Sequence, residues 1–397
     1  MRRGLAAVTL RVVAAAALLL IVSLVPCACS APMGGSSASD ASDAPVRRQR
    51  DDEAASTQPL MARQSTVRFR LVPLRSCSSN GFTLPIVSPD GSHAAVQSAG
   101  ATRFQTLLAA SSEDGVDAGR VTMHDLTTGT SAEVAGGEML LGRTADARGC
   151  LVESPRPDGS RWIGIAPWDG SEPQWLVQGE QVNALASIGP EDRLAWCRRN
   201  RESQRFDLVV RHHNGEQVIP APEDGSWLAP QFTTDGRFIV VLRLRDGTLS
   251  ACSFAMGNRA AEQPERVLDL SWRATLSMAY QTVVPQRNQQ LGGATWAFFH
   301  PRFRRVGLWD VRTDQSRLLG NGSLSLVQMD AERALVATSE GLDIASLSTG
   351  DARTTDGSRL LDGVWVPLLR LADDRAVIAR VRGPQIDILR IDLLPPE

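Results

Sequence analysis

A strand, a tight turn and a second strand, written Leu84-Pro85-Ile86-Val87-Ser88-Pro89-Asp90-Gly91-Ser92-His93-Ala94-Ala95-Val96, return along this chain at a fairly regular interval. The turn is specified by chemistry. Ser at its first position bonds local backbone, Pro at the second presets φ, and Gly at the fourth suits the exit of a type I turn. The unit recurs as Ala229-Pro230-Gln231-Phe232-Thr233-Thr234-Asp235-Gly236-Arg237-Phe238-Ile239-Val240-Val241. Weaker copies fall at Ala145-Asp146-Ala147-Arg148-Gly149, Gly189-Pro190-Glu191-Asp192-Arg193, Met329-Asp330-Ala331-Glu332-Arg333 and Ala372-Asp373-Asp374-Arg375, and a poor one at Gln286-Arg287-Asn288. Successive copies lie about 43 to 56 residues apart, the length of one four-stranded supersecondary unit, and such units must stack to bury their faces.

A second hairpin signal follows most copies: Asp125-Leu126-Thr127-Thr128-Gly129, Trp168-Asp169-Gly170, His213-Asn214-Gly215, Arg245-Asp246-Gly247, Asp310-Val311-Arg312-Thr313-Asp314 and Leu347-Ser348-Thr349-Gly350. No long helical period intervenes, and apolar runs alternate with Gly, Asp, Asn and Pro clusters from Thr66 onward. The pattern predicts an all-β chain whose residues 65–397 form a single β-propeller of seven four-stranded blades. The last blade, ending Ile386-Asp387-Ile388-Leu389-Arg390-Ile391-Asp392-Leu393, is one strand short. Val67-Arg68-Phe69-Arg70-Leu71-Val72 is expected to complete it and so hide two sheet edges.

The Ser88-Pro89-Asp90-Gly91 unit before an apolar strand, echoed at Thr234-Asp235-Gly236, resembles the repeat of TolB-like and WD-repeat-like bacterial propellers. The likeness spans roughly residues 66–397 and speaks to fold rather than function. The aromatic that usually follows the second strand is mostly missing. There is no sialidase-type Ser-x-Asp-x-Gly-x-x-Trp box, no TolB-like N-terminal helical domain, and no peptidase domain after the propeller.

Residues 1–30 read as an export signal: Arg2, Arg3 and Arg11, an apolar run from Val12 to Val25, then small residues at Ala28, Ser30 and Ala31. The run is about fourteen residues, short of the roughly 18 to 20 that span a bilayer. It ends Leu24-Val25-Pro26-Cys27-Ala28-Cys29-Ser30, which resembles a lipoprotein signal. Cys29, after the small Ala28, is the expected lipidation site. Cys27, with Leu24 three places before it but directly after Pro26, is the alternative, and simple cleavage followed by secretion is the other outcome. Residues 31–64, rich in Ser, Ala, Asp and Arg, are expected to form a disordered tether. The chain is accordingly placed in the periplasm or at a lipid-anchored cell-envelope surface, or else secreted.

Every cation is Arg, since the chain has no lysine. That excludes Lys Schiff-base and P-loop chemistry. Beyond the signal the balance is about five charges negative, which argues against nucleic acid or an anionic membrane as partners. Cys77, Cys150, Cys197 and Cys252 are widely spaced and read as small apolar strand residues rather than a disulfide framework. The one histidine pair, His212-His213, precedes the Asn214-Gly215 turn and points to opposite faces, so it reads as exposed turn residues and not a metal site. No Gly-x-Ser-x-Gly, His-Glu-x-x-His or phosphate loop occurs, and no catalytic residue, metal or cofactor is assigned.

One distribution of residues hints at function. Connections between second and third strands share one face of a propeller with the links between blades. In three consecutive blades they read Arg198-Arg199-Asn200-Arg201-Glu202-Ser203-Gln204-Arg205, then Arg243-Leu244-Arg245, then His300-Pro301-Arg302-Phe303-Arg304-Arg305. Arg forks favour carboxylates and phosphates. The site residues are therefore Arg198, Arg199, Arg201, Arg205, Arg243, Arg245, Arg302, Arg304 and Arg305. The long insertion from Ala99 to Gly119 is expected on the same face. The expected function is a non-catalytic binding or scaffolding module for a protein or anionic ligand. The alternative is a propeller lyase, lactonase or glycosidase using acids around the central channel.

Overall fold

Alternating apolar residues in short runs give strands with one face for each neighbouring sheet, and 27 strands are the main element type among the described residues. A computed structural model of the protein describes residues 67–79, 83–99, 119–144, 148–257, 260–273, 293–300, 305–319, 323–330, 332–347 and 359–394. The calls on residues 1–66, the signal, both candidate lipidation cysteines and the tether, lie outside the described residues. So do the turn at 286–288 and positions 100–118 of the first-blade insertion.

The strands form seven antiparallel sheets in chain order, the blades of a propeller. The first strand, β1 (Phe69–Ser78), belongs to the last blade. Blade 1 holds β2 (Ile86–Val87), β3 (His93–Ala99), β4 (Arg120–Asp125) and β5 (Ser131–Glu133). Blade 2 holds β6 (Met139–Arg143), β7 (Gly149–Pro155), β8 (Arg161–Pro167) and β9 (Gln174–Val177). Blade 3 holds β10 (Asn183–Ile188), β11 (Leu194–Arg199), β12 (Phe206–His212) and β13 (Gly215–Ile219). Blade 4 holds β14 (Gly225–Phe232), β15 (Phe238–Arg245), β16 (Thr248–Ala255) and β17 (Arg266–Arg273). Blade 5 shows β18 (Thr295–His300), β19 (Arg305–Asp310) and β20 (Gln315–Leu318) among the described residues. Blade 6 holds β21 (Ser323–Gln328), β22 (Arg333–Thr338), β23 (Gly341–Ser346) and β24 (Arg359–Asp362). Blade 7 holds β25 (Trp365–Ala372), β26 (Arg375–Arg382) and β27 (Gln385–Leu393), with β1 as its outermost strand.

Ring closure follows the sequence expectation and extends it: β1 pairs antiparallel with β27 from Phe69↔Leu393 to Ser78↔Gln385. Seam clusters close the circle. Blades 7 and 1 meet through Leu368, Val377 and Ile388 against Val87, Ala94 and Val96. Blades 1 and 2 meet through Ile86, Val121 and Met123 against Leu140 and Val152. Blades 3 to 5 share a cluster around Leu228, Leu242, Trp296 and Trp309. Backbone amides also cross seams to side chains, as Phe206 to Ser226 Oγ at 3.2 Å and Val306 to Ser323 Oγ at 3.0 Å.

Five innermost strands carry a register shift, at Leu140/Gly142, Ala184/Ser187, Leu228/Gln231, Ser323/Ser325 and Pro367/Leu369. Such bulges bend a strand and sharpen its twist, which suits strands crowded around an axis. Two of them hold non-glycine residues in the left-handed region, Leu185 at φ 62° and Ala229 at φ 48°.

The Arg245-Asp246-Gly247 hairpin joins β15 to β16, the second and third strands, through the pair Arg245↔Thr248. One sequence reading is corrected. His212 is buried at the end of β12, with only His213 exposed in the turn. As expected, Cys150, Cys197 and Cys252 are buried in strands, Cys77 is half-buried, and all four are free thiols.

Candidate functional site

One face of the ring collects the connections between second and third strands together with the links between blades; the other collects the remaining hairpin turns. Because β27 starts at the first face and runs away from it, Val67 and Leu394 sit on the second face, where Leu394 N donates to Arg68 O at 2.8 Å. The first face is thus unobstructed by the chain ends that are described.

Of the nine arginines expected there, Arg302 and Arg304 lie outside the described residues. Arg305 opens β19 opposite His300. The loop 200–205 joins β11 to β12 and is fixed by its own chemistry: Asn200 Oδ1 accepts the amides of Glu202 and Ser203, and Gln204 takes φ 59° to return the chain. Arg201 reaches the inter-blade link, bonding Glu180 O at 3.1 Å and lying 3.4 Å from its Oε2. Arg205 donates to Pro222 O at 3.2 Å, in the next link. Arg198 lies 3.9 Å from Glu216. In blade 4, Arg245 Nε meets Asp224 Oδ2 at 2.5 Å, and Arg243 Nε donates to Ser250 Oγ at 3.2 Å.

The structure therefore brings Arg201, Arg205 and Arg245 to one face, while Arg198 reaches Glu216 near the opposite turn and Arg243 bonds Ser250 within its sheet; it adds carboxylates that the sequence reading passed over. Glu180, Glu202, Asp207, Glu223 and Asp224 lie in or beside the same loops and links. The surface is of mixed charge. Arg201 and Arg245 make the same kind of contact in consecutive blades, from the loop after the second strand to an acid in the link entering that blade.

Sequence reasoning missed a second feature on this face. In blade 2 the loop after β7 begins at Arg156, whose guanidinium carbon lies 3.9 Å from the centroid of Trp162 and 5.0 Å from that of Trp175. The two indoles are T-shaped at 6.0 Å and both half-buried. Trp175 lies across Gly164, where an added Cβ would meet its ring at 2.8 Å. A signal was available, because the Trp168-Asp169-Gly170 turn folds Trp162 back toward Trp175. Beneath the loop, Arg161 Nη1 and Glu153 Oε1 form an ion pair at 2.5 Å with side chains 4% and 1% exposed. Asn183 Nδ2 donates to Arg161 O at 3.2 Å and its Oδ1 accepts Trp196 Nε1 at 2.9 Å, tying blade 3 to blade 2.

Many of the acids an enzyme reading would need serve turns. Asp90, Asp125, Asp158, Asp169, Asp235, Asp310 and Asp330 each accept a backbone amide two residues on, at 2.7 to 3.1 Å. Among the described residues no group of three or more His, Cys, Asp or Glu is placed to hold a metal ion.

These features define a class of protein, the seven-bladed β-propeller. No protein-family model matches the chain, and no curated protein matches it significantly in sequence. Solved structures do. A chain of the Mitotic Checkpoint Complex is similar over 90% of this chain and 99% of its own, at 12% identity and a TM-score of 0.50. The β-propeller domain of Cps50 (Swd1) from Myceliophteria thermophila matches over 79% and 98%, at 15% identity and TM-score 0.48. A protein assigned as TolB from Agrobacterium tumefaciens matches over 83% and 99%, at 13% identity and TM-score 0.39. At such identities the likeness concerns the fold alone.

Proposed function

We propose that this chain is a non-catalytic binding propeller of the cell envelope, docking a protein partner on the face formed by the loops after the second strands. The observation that carries this reading is the interleaving of arginines with carboxylates on that face, through Arg201 with Glu180 and Arg245 with Asp224. A small anion would have to compete with acids already at these arginines. A protein with its own mixed-charge rim gains complementarity and register from the same pattern. Export and anchoring through Cys29 remain part of the proposal. Val67 and Leu394 lie on the face opposite the docking loops.

The test is site-specific photo-crosslinking in the envelope of the source cell, with the crosslinker at position 201 or 245 and, as control, at position 237 on the other face. A discrete protein adduct at 201 and 245 that is absent at 237 supports the reading. Adducts only at 237, or none at any position, reject it.

A further inference from the structure

Arg156 is unusual among the cations of this face. Among the described residues its guanidinium lies over the T-shaped indole pair of Trp162 and Trp175 and makes no ion pair. Its Nε is buried without a hydrogen-bond partner. Stacking occupies the flat face of a guanidinium and leaves the in-plane N–H donors unspent. The Arg156 charge acts through space on Glu138 and Asp158, favouring their ionised forms, and it forms no ion pair with either among the described residues. Asp158 is engaged with the amide and hydroxyl of Ser160, at 2.9 and 2.6 Å.

A half-buried cluster of two tryptophans and an arginine has the composition of an interface hot spot. Every unspent polar group in it is a donor, so its complement is an acceptor. Ionised carboxylates accept only, and they match the guanidinium fork in a bidentate way. The fork is already immobilised by the rings, which lowers the entropy lost on binding.

We infer that Arg156, held on the Trp162–Trp175 shelf, is the anchor of the docking face and captures a Glu or Asp side chain from an acidic segment of the protein partner. This inference rests on the proposed function and deepens it. The occupant is a protein segment, because the shelf borders the inter-blade links that also carry Glu180 and Glu138 and so continues the mixed-charge surface.

The test uses the full chain and fluorescein-labelled short peptides, one alternating Glu and Ala, one alternating Gln and Ala, followed by anisotropy. The native protein should prefer the Glu peptide by about tenfold, as expected for one charge-assisted bidentate pair. Arg156→Gln should abolish the preference, and Arg156→Lys should restore only part of it because the fork is lost. The melting temperature of each variant is recorded, and a Trp175→Phe variant, which retains a ring, reads the shelf separately. Three results would overturn the inference: no binding of the Glu peptide by the native chain, undiminished preference in Arg156→Gln, or full competition by sodium acetate at matched carboxylate concentration. If Arg156→Gln changes nothing while crosslinks at 201 and 245 persist, the anchor falls and the docking face stands.

Discussion

At the scale of residues, aspartate does most of the local work. Partial burial pulls the Asp90 carboxyl upward, yet hydrogen bonds from Ser88 and Ser92 outweigh it and hold its pKa at about 2. The Thr127 hydroxyl and Thr128 amide hold Asp125 below the usual range, and Ser171 does the same for Asp169. A carboxylate with a depressed pKa in the folded state stabilises above its unfolded value, near 3.8 for Asp90, and that stabilisation fades as pH falls toward 2. The melting temperature should hold steady from pH 7 to 5 and drop below about pH 4. Asp90→Asn should flatten part of that drop, and an unchanged pH profile in this variant would refute the assignment. These turns were legible in the sequence because Ser-x-Asp-Gly and Asp-x-Thr carry their own hydrogen-bond chemistry. The mixed charge of the docking face was not, since Glu180 and Asp224 reach Arg201 and Arg245 only after the sheets bring 21 positions of separation together.

At the scale of elements, strand pairing and seam packing set the ring. The closing strand β1 was readable from the missing edge of the last blade, though its ten residues run well past Val72. Turn chemistry does not count strands: in blade 4 the Asp246-Gly247 hairpin joins the second and third strands, whereas in blade 3 Asn214-Gly215 joins the third and fourth. Deleting residues 1–79 should expose the β27 edge and the apolar side chains beneath Phe69 and Leu71, leaving a chain that associates or melts at much lower temperature; size-exclusion chromatography with thermal melts decides it. Gly164→Ala would press a methyl against the Trp175 ring and Gln174 O, with an expected loss of about 1 to 3 kcal/mol in chemical denaturation. Within blade 2, the buried Arg161–Glu153 pair joins β7 to β8. Replacing Glu153 alone by Leu should destabilise by about 3 kcal/mol or more because the buried Arg161 guanidinium loses the Glu153 carboxylate it pairs with. Replacing both with Met and Leu should be milder, and equal losses in the two variants would show that the ion pair is not the cause.

At the scale of the whole molecule, the repeat length and turn chemistry predicted a seven-bladed ring before any contact was known, because each blade is specified locally and only the seams are long-range. What the ring binds depends on which loops end on which face, and that follows from strand order rather than from any single motif. The expected anchor is separable from the ring: Cys29→Ala should release the protein into the soluble envelope fraction, and retention at the membrane would argue against lipidation there. The central claim, that one face docks a protein, is tested most directly by calorimetry with the crosslinked partner against two charge-reversal variants of equal size. One changes Arg201, Arg205 and Arg245 to Glu; the other changes Arg148, Arg237 and Arg375 to Glu on the opposite face. The account predicts that affinity falls at least about tenfold in the first and stays within about twofold of native in the second, both remaining folded by circular dichroism. Equal losses in both variants, or a loss confined to the second, would contradict it.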